Sequence, residues 1–577
     1  MLRVGRRITS IDKVAAERIR VDHPISASGR PSIILNRRWL KYRLRTLMLV
    51  ILVVGLSLTA WRRMQEHEQT VVVLAKAKHL EPALEEPRWI DRVTHADLRQ
   101  VTRASFHGVE TIGDKELAQL RRCAGLKRLS LYRTSVTDEG MATLQAFTGL
   151  RALSLEHTAV TDAGLEHLAG LGRLEELQLS HSKVQGPGLQ HLRELRQLRK
   201  LAMNFVPIVD EDLRWLRHAT EMRELSLRGV EIDGSSLQIL QQFHKLEYLE
   251  IRSDKLRQIR VVSLPNLASV TLDGKMQPGG ELVVQDLPAC TKLSLGLSAW
   301  EARPKIVIAD LPQVRYLLAP AGRTIELRNL PQVKELRMHL YNCERLTLND
   351  LPALHKLSVE NTGLTEQNVA EIAKLTSLVH LDMRDTRLDD AWMAPLSSLE
   401  RLEVLDLWAS SINGSGLAFC RDLPKLRSLA LDMTRTDDHA LANLAGVTSL
   451  EKLTLFRTQI TDAGLVHLKE LRNLKELSLQ QNAIEGPGLA DIGGLTKLQS
   501  LAISTTQIAD AHLVYLADLE NLQQLSIAGT RVSDRGVEHL TRLKSLRSLN
   551  VFRTQLTNDG VRWLQEALPE CRITSLE

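Results

Sequence analysis

The sequence predicts an α/β coil of stacked, near-identical turns: a parallel sheet of short strands on a concave side, short helices on a convex side, and one transmembrane helix ahead of the coil. Three observations carry this. Apolar anchors recur every 24 residues, at Leu126, Leu150, Leu174, Leu198, Met222 and Leu246, and again at Leu354, Leu378, Leu402, Leu426, Leu450, Leu474, Leu498, Leu522 and Leu546. Each anchor is followed by apolar residues three and five places on, and from Leu354 onward by a small polar residue at plus eight, so that Leu450, Leu453, Leu455 and Thr458 become Leu474, Leu477, Leu479 and Asn482. Aromatic residues make up only 4% of the chain against 44% apolar residues, as a stack of repeated aliphatic layers requires.

Spacing of the form L-x-x-L-x-L-x-x-N/T at this period is the signature of a leucine-rich repeat solenoid. Within a unit, the leucines of the L-x-x-L-x-L part alternate with solvent-facing residues, which predicts a short strand. The second half, TDAGLEHLAGL at 161–171 for example, opens on a Thr-Asp turn and spaces Leu165, Leu168 and Leu171 by three, which fits a short helix begun at Asp162. At plus eight stand Thr362, Thr386, Ser410, Thr434, Thr458, Asn482, Thr506, Thr530 and Thr554, whose hydrogen-bonding groups can satisfy backbone left open where the strand turns away.

The domains follow in order. Residues 1–43 form a basic, largely disordered tail; residues 1–45 hold twelve Lys and Arg against three Asp and Glu, leaving 63 basic and 66 acidic residues beyond. The repeats are thus nearly neutral, without the basic stripe of a nucleic-acid-binding coil. Residues 44–63 hold the uncharged TLMLVILVVGLSLTAW between arginines, with Trp39, Tyr42 and Trp61 where interfacial aromatics belong, and are expected to be an uncleaved signal anchor. A cleaved signal peptide is the competing reading. Dense charge ahead of the span places the N-terminus in the cytoplasm and the repeats outside the cytoplasmic (inner) membrane. Residues 64–101 read as a helical stalk and transition, and 102–254 as 24-residue repeats entered through a degenerate unit at Ile112, Leu117, Leu120 and Cys123.

Over 255–353 the rhythm changes. Leu-Pro recurs at 264–265, 287–288, 311–312, 330–331 and 351–352, units shorten, and KIVIADL and TIELRNL read as strands. The stack is expected to continue with extended backbone on both faces; a separate inserted domain is the alternative. Residues 354–577 resume the 24-residue form and end on ALPECRITSLE, which can cover the last layer. Cys123, Cys290, Cys343 and Cys420 fall on apolar positions of the grid, as buried hydrophobes would.

Chemistry is hard to find. Phosphate-loop, nucleophile-elbow, zinc-protease and Cys-x-x-Cys motifs are all missing from the sequence. His157 and His181, one period apart, are expected to be lateral neighbours, but two imidazoles make an incomplete metal site. The expectation is therefore no enzyme, no cofactor, no metal, no nucleic acid and no small-molecule substrate. Binding suits a broad strand face better, and its exposed positions fall at plus four, six and seven. The candidate partner-binding residues are Asp382, Arg384 and Asp385, Asp406 and Trp408, Asp432 and Met433, and Phe456 and Arg457, with further aromatic and basic residues at Tyr132, Arg133 and Phe205 and at Phe552 and Arg553. Asp382 and Asp406 should be like-charged neighbours, offset either by Arg384 or by a partner's basic group.

The units Thr158–Leu179 and Thr458–Leu479 resemble the ribonuclease-inhibitor-like, cysteine-poor repeats common in planctomycete bacteria. Leu44–Val54 resembles the membrane anchors that precede such repeats, and ALPECRI resembles their closing cap. The resemblance implies a membrane-anchored repeat protein that binds a protein or a cell-envelope polymer. The alternatives are a self-associating structural protein of the envelope, and a cytosolic scaffold if residues 44–63 do not insert.

Overall fold

The computed structural model describes residues 70, 73–74, 76–77, 79–81, 101–299, 301–360 and 363–575. The basic tail, the anchor expected at 44–63 and Thr362 lie outside the described residues. Among those described, no helix is long and apolar enough to cross a membrane.

Three-residue strands stack in parallel and in register on one side of the coil. Arg128–Ser130, Ala152–Ser154 and Glu176–Gln178 follow one another at the start, and Lys452–Thr454, Glu476–Ser478 and Ser500–Ala502 near the end. The reason is the leucine spacing. Leu450, Leu453, Leu455, Leu474, Leu477 and Leu479 all turn inward and are at most 2% exposed, each burial being worth about 1.5–3 kcal/mol. All five cysteines lie in the same interior, unpaired. Burial pushes the Cys123 thiol up to about 12 and those of Cys290 and Cys343 up to about 11, so they stay protonated and inert.

The described residues between 70 and 81, expected as part of a stalk, are docked onto the first unit. Val73, Leu74 and Ala77 are buried, the Thr70 hydroxyl donates to the Gln119 carbonyl at 2.7 Å, and His79–Glu81 adds antiparallel to Arg103–Ser105. An open first strand with apolar residues beneath it needs such a cover.

The other side departs from the helices expected there. Some units do form short α-helices, such as Asp438–Leu444, Glu366–Ala373 and Asn558–Ala567, but Gly186–Glu194, Asp210–His218 and Ser415–Asp422 are 3-10 helices. Apolar residues three apart all reach the core when the backbone turns once every three residues rather than every 3.6.

The Thr-Asp-x-Gly start has a role between turns. Asp438 sits in one unit, and the amide and hydroxyl of Thr461 in the next unit donate to its carboxylate at 2.8 and 2.6 Å. The same pair of bonds joins Asp114 to Thr137, Asp138 to Thr161, and Asp534 to Thr557. A side chain at Gly464 would place its Cβ 2.3 Å from Asp438 Oδ1, so the motif needs glycine to leave room for the neighbouring unit's carboxylate.

Between 248 and 349 the coil is extended on both sides. The long strands Tyr248–Val262 and Ser269–Gln285 pair along their first halves on the strand face and along their second halves on the opposite side, with register shifts around Leu256. Lys305–Ala309, Thr324–Arg328 and Arg345–Asn349 then extend the outer ladder, and Tyr316–Ala319, Glu335–Met338 and Lys356–Ser358 carry the strand face onward. The residue before each Leu-Pro, namely Ser263, Asp286, Asp310, Asn329 and Asp350, has φ between 50° and 56°. Asn and Asp tolerate that left-handed bend better than other side chains, and the leucine that follows is buried in every case.

Candidate functional site

The strand of most 24-residue units ends at plus four, and the chain then bends. Residue plus seven is left-handed throughout: Arg133, His157, His181, Phe205, Asp385, Ala409, Met433, Arg457, Gln481, Thr505 and Arg553 have φ of 51–57°. This conformation keeps the plus-seven N–H on the next unit, as in Asp385 N–H to the Trp408 carbonyl at 2.7 Å and Met433 N–H to the Phe456 carbonyl at 2.7 Å. Plus eight then closes the bend. Thr386, Thr434, Thr506 and Thr530 each donate their hydroxyl to the carbonyl three residues back at 2.6–2.7 Å. Ser410 at the same position does not; its buried hydroxyl has no partner.

The residues Asp382 through Arg457 come together on this frame. Asp382 and Asp406 are register partners on adjacent strands, His380–Asp382 and Val404–Asp406. Asp382 is only 5% exposed and is held by Arg384, whose Nε and Nη2 donate to its two oxygens at 2.9 and 2.8 Å. The same guanidinium reaches Glu360 at 2.9 Å and Asp406 at 3.7 Å. Arg384 therefore offsets the like-charged pair from within the protein. Glu360, which sequence reasoning did not single out, stands at plus six of its unit, the position that holds Arg384 in the next.

One guanidinium does not balance the site. Asp432 lies in the following unit and is engaged by neutral donors, the Phe456 amide at 2.6 Å and the Thr454 hydroxyl at 2.5 Å. Burial, and then the nearby Asp382 and Asp432, push the Asp406 carboxyl above the ordinary range, against the Trp408 amide that donates to it at 3.0 Å. The Asp382 hydrogen bond in turn strengthens the hold of Arg384 on its proton. Three carboxylates thus meet Arg384, Glu360 also feeling Arg337, with Asp432 and the exposed Asp385 beside them. Trp408, between Arg384 and Asp432 in the plus-six row, is 40% exposed, and Met433 is 38% exposed; Phe456 is half-buried and Arg457 exposed. His380 at the near edge is held below the usual imidazole range, chiefly by burial.

The other candidates lie apart. Tyr132 and Phe205 belong to a run of five rings along the bends of successive units. His107 stacks on Tyr132 at 4.1 Å, Tyr132 meets His157 edge-on at 5.4 Å, His157 stacks on His181 at 4.2 Å, and His181 on Phe205 at 4.4 Å. Arg133 lies 5.4 Å from the Tyr132 ring centre. The run stops at Gly229, where a Cβ would meet the Phe205 ring at 2.6 Å. His157 and His181 present parallel faces rather than convergent nitrogens, and among the described residues no three His, Cys, Asp or Glu are grouped to hold a metal ion. Phe552 and Arg553 pair with one another at 5.1 Å in a unit far from either cluster.

Residues 325–572 match a family model described as a leucine-rich repeat region. The chain is also similar to several solved structures. An internalin (inlF) from Listeria monocytogenes is 17% identical over 78% of this chain and 87% of its own, with a TM-score of 0.29. A leucine-rich repeat protein of Leptospira interrogans is 16% identical over 85% and 99%, with a TM-score of 0.28. The plant peptide hormone receptor RGFR1, solved in complex with RGF2, is 16% identical over 81% and 89%, with a TM-score of 0.28. A search of curated proteins finds no match. No catalytic family is indicated for the repeat region.

Proposed function

We propose that the chain is a non-enzymatic binding protein that seats a basic, extended segment of a partner protein on the strand face around Trp408. One observation carries this: a solvent-facing Trp408 and Met433 stand beside Glu360, Asp382 and Asp406, which meet the guanidinium of Arg384, and beside Asp432, which is held by neutral donors. Large apolar side chains on a rigid sheet offer contact area with little ordering cost. A lysine or arginine from a partner would sit beside Asp432, whose hydrogen bonds come from the neutral Thr454 hydroxyl and Phe456 amide, and would lie against the Trp408 ring. The binding surface is one of preorganised shape and charge, with no chemical step.

The segment 44–63 anchors the protein in the cytoplasmic membrane in this reading, with the N-terminus in the cytoplasm and the repeats on the outer side, as in the planctomycete-type proteins its repeats resemble. Support comes from the charge-free run between arginines and the basic bias ahead of it. Alkaline carbonate extraction tests the anchor: the protein stays with the membrane pellet, and release into the supernatant would remove it. Capture of partners from membranes by the full chain, wild type against Trp408→Ala with Phe456→Ala, tests the surface. The double variant loses the captured protein while its circular dichroism is unchanged; equal capture would remove the patch.

A further inference from the structure

The strand face is interrupted at one place. Lys292–Ser298 pairs with Ser269–Gln285 on one side, and Tyr316–Ala319 pairs with Glu335–Met338 on the other, but no ladder joins Lys292–Ser298 to Tyr316–Ala319. The outer ladder passes the same place unbroken, through Lys305–Ala309 between Ser269–Gln285 and Thr324–Arg328. In the units on either side, the carbonyl one place past the anchor accepts an N–H from the next unit, as Ala268 does from Lys292 at 3.2 Å and Arg315 from Lys334 at 2.9 Å. Between Thr291 and Tyr316, both described, no such bond is made. Two strand edges are thus left with open main-chain donors and acceptors, and an open edge is where a further extended chain can pair.

The side chains around the break are of two kinds. The break opens a depression of about 580 Å³, lined by Lys292, Leu293 and Ser294 on one edge and by Gln313, Arg315 and Tyr316 on the other. No acid lines it, and among the described residues neither Lys292 nor Arg315 forms an ion pair. The next cations along the face, Arg337 and Lys356, are by contrast matched to Glu335, each at 3.4 Å. Leu293 holds the plus-three place, where its neighbours Val270 and Leu317 are buried, yet it is only half-buried. On the facing edge Tyr316 is 47% exposed and Leu318 is 37% exposed. Apolar groups bared at an unpaired edge are a liability unless something covers them.

We infer that this break is a second interaction site, one that seats an extended, acidic segment of a partner polypeptide. Its main chain meets the open edges, a carboxylate lies with Lys292 and Arg315, and an apolar side chain next to it covers Leu293 and Leu318. Such a segment supplies the complement of each kind of group present, whereas a free anion would meet the cations and leave the edges and apolar groups bare. The charge it carries is opposite to that of the segment proposed at Trp408, several units further on, and the inference does not rest on that reading.

The test is titration of the full chain with a pentapeptide of alternating glutamate and leucine, capped at both ends and followed by calorimetry and amide exchange. In the free protein the Tyr316 amide is expected to exchange faster than that of Lys292, its bonded equivalent in the preceding unit. The peptide is expected to bind saturably and to slow exchange at Tyr316 about tenfold or more. It is expected to bind about tenfold or more weaker to the Lys292→Gln, Arg315→Gln double variant, whose substituted side chains are both exposed and whose folding circular dichroism checks. Main-chain N-methylation of the peptide is expected to weaken it likewise, and Trp408→Ala to leave binding unchanged. A Tyr316 amide as protected in the free protein as that of Lys292 would overturn the inference. So would the absence of saturable binding, equal binding to the double variant, or equal binding of the N-methylated peptide, of sodium acetate or of the pentapeptide with lysine in place of glutamate. Loss of the peptide in Trp408→Ala would place it on the other surface and overturn the inference as well.

Discussion

Replacing Gly464 by alanine should unfasten one turn of the coil from the next. The new Cβ would lie 2.3 Å from Asp438 Oδ1, 3.0 Å from its Cγ and 3.1 Å from its Cα, so the carboxylate must swing away. Doing so breaks the bonds from the Thr461 amide and hydroxyl at 2.8 and 2.6 Å. Hydrogen bonds to a charged group contribute about 1.5–3 kcal/mol each, the lower end applying here because water reaches the freed groups. Against a loss of about 3 kcal/mol, alanine recovers about 1 kcal/mol over glycine in a helix. The net cost is about 2 kcal/mol. Asp438→Ala alone should cost about as much, because it forfeits the same two bonds. The decisive quantity is the coupling: with Asp438→Ala already present, Gly464→Ala meets little beyond a tight contact at Cα and should cost close to nothing. Urea unfolding of the four proteins gives the cycle, and amide exchange at Thr461 reports the local bond directly. Costs that simply add would refute the idea that glycine is there to house a neighbour's carboxylate.

Three further outcomes follow from the same geometry. Arg384→Ala leaves Asp382 buried without its cation and should destabilise by about 3 kcal/mol, with part of the loss restored by adding Asp382→Asn, as read by urea midpoints. Asp406 has a folded pKa above its unfolded value, so its ionisation costs stability as pH rises from the ordinary carboxylate range through the raised value. Asp406→Asn should accordingly raise the thermal midpoint at neutral pH and lose that advantage towards pH about 4; a gain that persists in acid would contradict this. Gly229→Ala adds a side chain at φ +63° with its Cβ 2.6 Å from the Phe205 ring, and should cost about 2 kcal/mol while displacing Phe205 from His181, which the ring-current shifts of the His181 protons would register.

Much of the fold could be read in advance because leucines at plus three and plus five leave one way to bury them all. The plus-eight threonines were legible for the same reason: a strand that turns away opens a carbonyl, and Thr386 or Thr434 closes it. The helices were less so, since spacing by three is compatible with an irregular α-helix until the Asp–Thr bonds between turns fix the backbone. Asp162 and its equivalents look like ordinary helix starts in sequence; their bonds to the following unit appear only when turns are stacked. The bend at plus seven leaves no trace among Arg133, His157, Phe205 and Met433, whose types have nothing in common, whereas the Asp, Asn and Ser before Leu-Pro do mark theirs. At the candidate surface, composition pointed to the right strands but not to the burial of Asp382, which depends on Arg384 folding back over it, nor to Glu360. The ring stack required His107, which sits in a degenerate first unit off the repeat grid.

The claim on which the functional account rests is that a partner lies against Trp408. Photo-crosslinking from that position tests it most directly: p-benzoylphenylalanine in place of Trp408, and separately in place of Val514, which is 42% exposed in the outer turn Asp510–Leu516. In intact membranes the account predicts a protein adduct from position 408, linked within a segment rich in lysine and arginine, and none from 514. Adducts equal at the two positions, or a linked segment that is acidic, would contradict it.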